Sequence, residues 1–269
     1  MTRYHQRMKL AWLAVLFACG CPHHGGNPRS YPEPSVVEIV DRLAKARDAL
    51  TSFKADATMD YWLGDQRAKG DVLVMGKTGA RVRFAAQSPA GDSTLAEMAC
   101  DGTNFVYVDM QKNCVLAGPC DQHSIAQFFH IELAPDDFLH LALGTPPVIA
   151  NPTGKVTWDA DHGYERVELQ GADGTQKLTI DMKDHRFDVI DSELVAADGK
   201  VRWRIANTDF VDVGGHHVPG KTSFKSPGEK EDLLVDWAPT DEAKQFRTVD
   251  EELPQDKFVL VAPAGLPHC

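Results

Sequence analysis

The hydrophobic pattern of the chain changes within one stretch, Ser35-Val-Val-Glu-Ile-Val-Asp-Arg-Leu-Ala-Lys-Ala-Arg-Asp-Ala-Leu-Thr-Ser-Phe-Lys-Ala-Asp-Ala-Thr-Met-Asp-Tyr-Trp-Leu63. Ser35 and Glu38 have the spacing of a capping box, and the apolar residues from Val36 to Phe53 recur at helical intervals. From Lys54 onward apolar and polar residues alternate, which is typical of a strand with one buried face. The stretch therefore predicts an amphipathic helix that leads directly into a β-sheet.

The same alternation recurs along the rest of the chain, separated by turn signals such as Asp101-Gly102 and Asp198-Gly199. About ten strands joined by tight turns predict an antiparallel meander with one buried face. Two short apolar helices are predicted to interrupt it at residues 122–130 and 135–143, and Gly144 ends the second. The predicted fold class is mainly β with α, that is, α+β.

The N-terminus has the features of a targeting signal. Arg3, Arg7 and Lys9 precede an apolar run of nine residues from Leu10 to Ala18. This run is too short to span a membrane, which takes about 20 residues, and residues 1–18 are predicted to be a signal peptide. Cys19 follows Leu16-Phe-Ala18 as in the lipobox of bacterial lipoproteins, in which the cysteine becomes the lipidated first residue.

Cys21 is the alternative lipid anchor, and an ordinary signal peptide that leaves a soluble secreted protein is the alternative to lipidation. Residues 19–34 are predicted to form the lipidated terminus and a flexible tether, and residues 35–269 a single folded domain. Gly20 or Pro22 would follow the anchor, where an Asp would favour retention in the inner membrane. The expected location is therefore the periplasmic face of the outer membrane.

The composition is acidic, with 39 Asp and Glu against 28 Lys and Arg and a formal net charge of -11. Such a surface repels phosphate backbones, which argues against nucleic acid as a partner. It also argues against membrane contact through basic residues. Membrane association is therefore expected through the N-terminal lipid anchor.

Four cysteines after the signal segment, Cys100, Cys114, Cys120 and Cys269, are disulfide candidates that allow three pairings. The spacing of Cys114 and Cys120 favours a small closed loop, which would leave Cys100 to pair with Cys269. Another pairing or free thiols remain open. If Cys19 is lipidated, Cys21 is left as an odd thiol, so cysteine parity favours Cys21 as the anchor.

No catalytic motif is present: there is no Gly-x-Ser-x-Gly elbow, zinc-protease helix, phosphate loop or dinucleotide fingerprint. The adjacent His216 and His217 point to opposite faces of a strand and do not favour one metal site. His130 and His140, which flank the helical insertion, are expected on the solvated surface. The sequence therefore predicts no catalytic residues, no metal, no cofactor and no enzymatic activity.

The order of several weak motifs resembles the LolA/LolB-like family of bacterial periplasmic carriers and outer-membrane lipoproteins. They are the helix that enters Phe53-Lys-Ala-Asp-Ala57, the proline-started and glycine-ended segment 133–144, the hairpin 211–219 and the closing segment 258–265. The resemblance implies a curved antiparallel half-barrel covered by the N-terminal helix and the helical insertion. It also implies a cavity that takes acyl chains.

Bulky apolar residues are the candidates for the lining of that cavity: Trp62, Phe84, Phe105, Tyr107, Trp158, Trp203, Phe224 and Phe138. The expected function is an outer-membrane-anchored lipoprotein that binds or transfers lipid or acylated protein. The alternative is a filled core in a non-enzymatic envelope scaffold or sensor, which binds a protein partner through its acidic surface. The four cysteines and the acidic stretch 227–256 depart from the family pattern.

Overall fold

A computed structural model describes residues 26–90, 93–129, 133–227, 231–237 and 247–269. The signal segment, both candidate anchor cysteines and His130 lie outside these residues. The helices are α1 (Val36–Ala49), α2 (Gln122–Phe129) and α3 (Pro135–Ala142). The strands are β1 (Ser52–Leu63), β2 (Gln66–Lys77), β3 (Arg81–Gln87), β4 (Thr94–Asp101), β5 (Asn104–Asp109), β6 (Cys114–Pro119), β7 (Thr153–Asp159), β8 (Tyr164–Gly171), β9 (Gly174–Asp181), β10 (Asp188–Val195), β11 (Val201–Thr208), β12 (Val211–Val213), β13 (His216–Val218), β14 (Lys221–Ser226), β15 (Glu231–Asp236) and β16 (Arg247–Val249).

One large antiparallel sheet forms the body of the protein. Its strand order is β6-β5-β4-β3-β2-β1-β15-β14-β11-β10-β9-β8-β7, with β16 paired to one end of β1. The two outermost strands, β6 and β7, do not pair with each other, so the sheet stays open and is not a closed barrel. The predicted class, mainly β with a few helices, is confirmed.

The predicted transition from helix to strand is present. The Glu38 N–H donates to Ser35 Oγ at 3.2 Å, and the Ser35 N–H donates to the Glu38 carboxylate at 2.6 Å, which completes the capping box. The helix ends at Ala49, earlier than the apolar stripe suggested, and Phe53 is buried in β1 instead. The run of apolar residues from Val36 to Phe53 is therefore divided between α1 and β1.

The helices cover different halves of the sheet. Ile39 and Leu43 of α1 are fully buried against residues of β8, β9 and β10, far away in sequence. Leu139 and Ala142 of α3 pack instead on the inner face of β1 and β2. Each helix thus removes from water the apolar face of strands that neither precede nor follow it directly, and this burial is the main stabilising contribution.

The N-terminal segment from Gly26 to Pro34 lies against the β7–β8 edge. The Asn27 N–H donates to Ala160 O at 2.7 Å, and Trp158 Nε1 donates to Asn27 O at 2.8 Å. Arg29 forms two hydrogen bonds, of 2.8 and 3.0 Å, to the carboxylate of Glu165, which is 0% exposed. Part of the segment predicted to be a flexible tether, from Gly26 to Pro34, therefore contacts the folded body.

The disulfide pairing differs from the favoured one. Cys100 pairs with Cys120, and Cys114 pairs with Cys269. A Cys114–Cys120 loop was the wrong prediction because the chain runs extended as β6 from Cys114 to Pro119, which lie about 17 Å apart at ~3.3 Å per residue. After β6 the chain turns, and the Cys120 N–H donates to Thr103 O at 2.9 Å, which brings Cys120 beside Cys100.

The C-terminal segment crosses the other face of the sheet and ends at the β6 edge. Leu253 and Phe258 are buried against Met75 of β2. Farther on, the Val115 N–H donates to Pro267 O at 2.9 Å and the Cys269 N–H donates to Val115 O at 3.1 Å. The segment therefore pairs with part of the exposed edge of β6, and the Cys114–Cys269 disulfide holds it there.

Replacement of Arg29 by Ala is expected to lower the free energy of unfolding by about 3 kcal/mol, because it leaves the buried carboxylate of Glu165 without its charged partner. Urea denaturation measures the loss. The matched control is Lys45→Ala, which removes an exposed ion pair with Asp41 and changes the value by less than about 0.5 kcal/mol. Equal values for the two variants would contradict the structural role of the N-terminal segment.

Candidate functional site

An apolar cavity of about 70 Å³ lies between α3 and the concave face of the sheet. It is bounded by β1 to β4 on one side and by β14 and β15 on the other, with α3 across it. The residues that line it are Met59, Tyr61, Val72, Val74, Val82, Phe84, Met98, Phe138, Leu141, Thr222, Phe224, Leu233, Val235 and Trp237. Nearly all of this wall is hydrocarbon or aromatic surface.

Helix α3 forms the cover of the cavity through Phe138 and Leu141. The helix lies very close to β2, where a Cβ atom added to Gly76 would be 3.1 Å from Leu139 Cδ1 and 3.2 Å from Leu139 Cβ. A side chain at position 76 would push the helix away from the strand. The glycine therefore permits the close approach that keeps the cavity narrow.

Polar contacts hold the N-terminal half of α3 in place. Arg47 of α1 donates to Asp137 Oδ1 and to Thr145 O, both at 2.7 Å. Asp136 Oδ1 accepts a 2.7 Å hydrogen bond from the Ala80 N–H in the β2–β3 turn. The two adjacent aspartates, which the sequence places in the first turn of a helix, thus connect α3 to α1 and to the sheet.

The C-terminal end of α3 is held by Arg247 and Thr222. Arg247 donates to Ala142 O at 3.0 Å, and Thr222 Oγ1 lies 3.2 Å from Leu141 O. Gly144, which follows the helix, has a φ of +74°, and a Cβ there would lie 2.8 Å from Pro219 Cδ. The predicted glycine stop is therefore required both by the backbone conformation and by the contact with the next hairpin.

Two polar groups of the cavity wall, the Trp237 indole N–H and the Thr222 hydroxyl, have partners within the protein. Trp237 Nε1 donates to Thr222 Oγ1 at 2.9 Å, and this hydroxyl lies 3.0 Å from Asn207 Oδ1. These atoms therefore do not need water or a polar ligand. The wall favours an apolar occupant.

Three of the eight candidate lining residues, Phe84, Phe138 and Phe224, are among the residues that line this cavity. Trp203 packs below it with Leu133 and Ile205, and Phe105 and Tyr107 pack around Ile125 of α2. Trp62 stacks with Arg67, and Trp158 contacts Tyr31. These five placements correct the candidate list. Trp62 follows Tyr61 of the cavity wall, so the alternation of a strand turns it to the other face.

Sequence reasoning from aromatic bulk missed most of the aliphatic wall. Met59 and Tyr61 on β1, and Val72 and Val74 on β2, are spaced by two residues and face the cavity together. This spacing was a usable signal once the strands had been recognised. Apart from Phe224, the contribution of β14 and β15 was not readable, because it depends on the pairing of β15 with β1 and of β14 with β15.

His140 is buried, at 4% exposure, which corrects its expected surface position. Its Nδ1 lies 2.8 Å from Thr145 Oγ1. Burial, together with the nearby Arg47 charge, lowers the pKa of His140 to about 3. The imidazole is therefore neutral at physiological pH and acts as part of the packing below α3.

The adjacent histidines of β13 contact two different aspartates. His216 Nε2 lies 3.1 Å from Asp250 Oδ2, and His217 Nδ1 lies 2.9 Å from Asp188 Oδ1. Across the described ranges no group of three or more His, Cys, Asp or Glu side chains is arranged to hold a metal ion. Among the helices of the described residues, none has the length and apolar character needed to cross a membrane.

Three solved structures are similar to this chain over most of its length. A LolA superfamily protein from Nitrosomonas europaea superposes with a TM-score of 0.54 and 12% identity, covering 85% of this chain and 99% of that chain. A DUF1329 family protein from Desulfovibrio piger superposes with a TM-score of 0.55 and 10% identity, covering 82% of this chain and 94% of that chain. A domain from Vibrio parahaemolyticus, described as an outer membrane lipoprotein-sorting protein domain, superposes with a TM-score of 0.52 and 10% identity. The match covers 82% of this chain and 95% of that chain.

The chain therefore has the LolA/LolB-like fold, as the sequence predicted. No protein-family model matches the sequence, and no curated protein matches it. At 10–12% identity the shared property is the fold itself.

Acidification is expected to destabilise the protein through His140. Its pKa is about 3 when folded and 6.5 in the reference state, so protons bind the unfolded chain preferentially as the pH falls from 6.5 towards 3. The free energy of unfolding is expected to fall by about 2 kcal/mol at pH 5, which lies about 1.5 units below the unfolded pKa, since each unit corresponds to about 1.36 kcal/mol. Urea denaturation at pH 7 and pH 5 measures it.

His140→Asn is expected to reduce this pH dependence, because Asn keeps a polar atom near Thr145 and does not titrate. The matched control is the exposed His185, whose φ of +65° an Asn tolerates. His185→Asn should leave the pH dependence as in the wild type. If the free energy of unfolding of His140→Asn fell between pH 7 and pH 5 as much as that of the wild type, the effect could not be assigned to this histidine.

Proposed function

We propose that the protein is a non-enzymatic carrier or receptor of the cell envelope that binds the acyl chain of a lipid or of an acylated protein. The observation that carries this proposal is the apolar cavity between the concave sheet and α3. A nearly all-apolar wall, in which Trp237 Nε1 and Thr222 Oγ1 are paired within the protein, is suited to hydrocarbon. The fold shared with a LolA superfamily protein supports the same class of function.

Binding requires that α3 moves. The cavity of about 70 Å³ is well below the roughly 300 Å³ at which typical small-molecule pockets begin. Phe138 and Leu141 occupy the space that a longer chain needs. An acyl chain therefore replaces these side chains against the sheet when α3 is displaced.

The energetic balance permits this exchange. Burial of about ten methylene groups contributes about 8 kcal/mol at ~0.8 kcal/mol each. The hydrogen bonds that hold α3 contribute about 1 kcal/mol apiece, and up to about 3 where Arg47 meets a carboxylate. The acyl chain also recovers part of the apolar contact that α3 gives up, so ligand burial offsets the cost of opening.

We further propose that the protein is anchored by a lipid on Cys19, or alternatively Cys21, at the periplasmic face of the outer membrane. The apolar run and the lipobox-like sequence support this, as do the missing Asp after either cysteine and the fold shared with a lipoprotein-sorting domain. Transfer of lipid or acylated protein then takes place next to the membrane that receives it.

Intact mass spectrometry of the native protein tests the anchor. The expected mass corresponds to a chain that begins at Cys19 or Cys21, carries acyl groups and contains two disulfides. Envelope fractionation should recover this species with the outer membrane. An unmodified N-terminus, or recovery with the inner membrane, would contradict the proposed location.

The acyl-binding proposal predicts opposite behaviour for two neighbouring leucines of β15. Leu233 lines the cavity, whereas Leu234 is 38% exposed on the other face. Leu233→Gln is expected to weaken binding of a fluorescent fatty acid at least about fivefold, because the bound chain buries the amide away from water at a cost of ~1–3 kcal/mol. Fluorescence titration of the detergent-free, unlipidated protein measures the affinity.

Leu234→Gln is the matched control and should bind like the wild type. Native mass spectrometry of the same samples adds a direct readout, because the wild type is expected to retain lipid from the cells. A wild-type protein that is free of lipid and does not bind the fatty acid would overturn the proposal. If both variants bound the fatty acid equally weakly, the cavity would not be the binding site.

A further inference from the structure

The hairpin of β1 and β2 extends beyond the neighbouring strand β3 at the apolar cavity. Every residue of β2 is paired with β1, but β3 pairs with β2 only from Val72 onward. The pairing of β3 with β4 has a register shift between Ala86 and Gln87, and a bulge of this kind bends a strand. Within the described part of the chain, residues 66–71 of β2 therefore have a strand on one side only.

The main-chain groups of Arg67 and Lys69 point to this unpaired side. Opposite residues of two antiparallel strands alternate between hydrogen-bonded and non-hydrogen-bonded pairs. The Thr78 N–H, which directly follows β2, donates to Thr51 O at 2.9 Å, so the even-numbered residues of β2 bond to β1. The N–H and C=O groups of the odd-numbered Arg67 and Lys69 consequently point away from β1.

The edge formed by residues 66–70 of β2 is open to solvent. Arg67, Ala68, Lys69 and Gly70 are all exposed, and the exposed atoms of Gly70 belong to the main chain itself. No hydrogen bond from a described residue reaches the main chain of Arg67 or Lys69 from the open side. Such a row of N–H and C=O groups is a template for the addition of another strand.

The open edge continues the wall of the apolar cavity. Gly70 is paired with Met59, and Ala68 is paired with Tyr61, and both of these partners line the cavity. Directly opposite residues lie on the same face of a sheet, so Ala68 and Gly70 belong to the concave face. A Cβ atom added to Gly70 would meet no described atom within 4 Å. The two small residues therefore leave a passage from the edge into the cavity.

We propose that this edge of β2 docks the polypeptide of an N-terminally acylated protein as an additional strand, while the acyl group occupies the apolar cavity. The inference rests on the proposed acyl binding and selects an acylated protein over a free lipid. Val72 is the first residue of β2 in the cavity wall, so the acylated N-terminus lies at its level and the peptide runs towards Gln66. This direction is antiparallel to β2. Main-chain hydrogen bonds supply the affinity, so the site accepts different sequences.

Two matched ligands test the proposal on the detergent-free, unlipidated protein. One is an N-palmitoylated hexapeptide of alternating Thr and Ser, and the other is the same molecule methylated on each backbone nitrogen that follows the first residue. The methylated ligand keeps the acyl chain but cannot donate strand hydrogen bonds. Displacement of a fluorescent fatty acid measures both affinities. The unmethylated ligand is expected to bind at least about tenfold more tightly, since one net hydrogen bond corresponds to roughly fivefold.

Two variants of Lys69 separate the main chain from the side chain. Lys69→Pro removes an outward N–H and should weaken binding of the unmethylated ligand at least about fivefold. Proline is tolerated at this edge because the lost N–H does not bond to β1. Lys69→Ala keeps the N–H and should bind the ligand like the wild type. Both variants should bind the fluorescent fatty acid like the wild type, which shows that the cavity is intact.

Amide hydrogen exchange of the wild type locates the bound peptide and does not depend on the folding of Lys69→Pro. The N–H groups of Arg67 and Lys69 are expected to gain protection with the acylated peptide and not with palmitate. Those of Ala68 and Gly70 should change little, because they already bond to β1. Nuclear magnetic resonance resolves the four positions.

Equal affinity for the two ligands, or no added protection at Arg67 and Lys69, would overturn the docking edge even when the fatty acid binds. A wild-type dimer that Lys69→Pro dissociates would assign the edge to a second copy of the chain, and would overturn it as well. A protein that binds neither the ligands nor the fatty acid would overturn the proposed acyl binding together with the edge. The two failures are thereby distinguished.

Discussion

The pairing of β1 is the interaction on which the rest of the structure depends. This strand hydrogen-bonds along its whole length to β2, and on its other side to β15 and β16. It thereby joins strands from both ends of the chain into one sheet. Because its inner residues alternate with outer ones, the same strand builds the core below α3 through Ala55 and Ala57 and the cavity wall through Met59 and Tyr61.

The helices cover the apolar face that the sheet leaves exposed, and α1 and α3 are held there by different contacts. Helix α1 buries Ile39 and Leu43 in a continuous apolar cluster, whereas α3 packs Leu139 and Ala142 on the sheet, covers the cavity and makes polar contacts at both ends. An apolar space under a short helix, whose ends are held by hydrogen bonds, suits the proposed reversible binding of hydrocarbon.

Local pattern predicted much of the fold. The capping box at Ser35, the alternation of β1, and the proline start and glycine end of α3 were all readable, because each depends on spacing within a few residues. The candidate site was only partly readable. Phe84, Phe138 and Phe224 reach the cavity, but Trp62 and Trp158 do not, since bulk alone does not indicate the face of a strand.

The sequence by itself thus determined the element types, the apolar inner face of the sheet and the LolA/LolB-like order of elements, whereas the burial of Met75 on the other face was not predicted. Only the tertiary structure decided the disulfide pairing and the burial of His140. The physical reason is range. Periodicity reports which side of an element is apolar. A disulfide or a pocket depends instead on strand register and sheet curvature, which bring together distant residues such as Cys114 and Cys269, 155 positions apart.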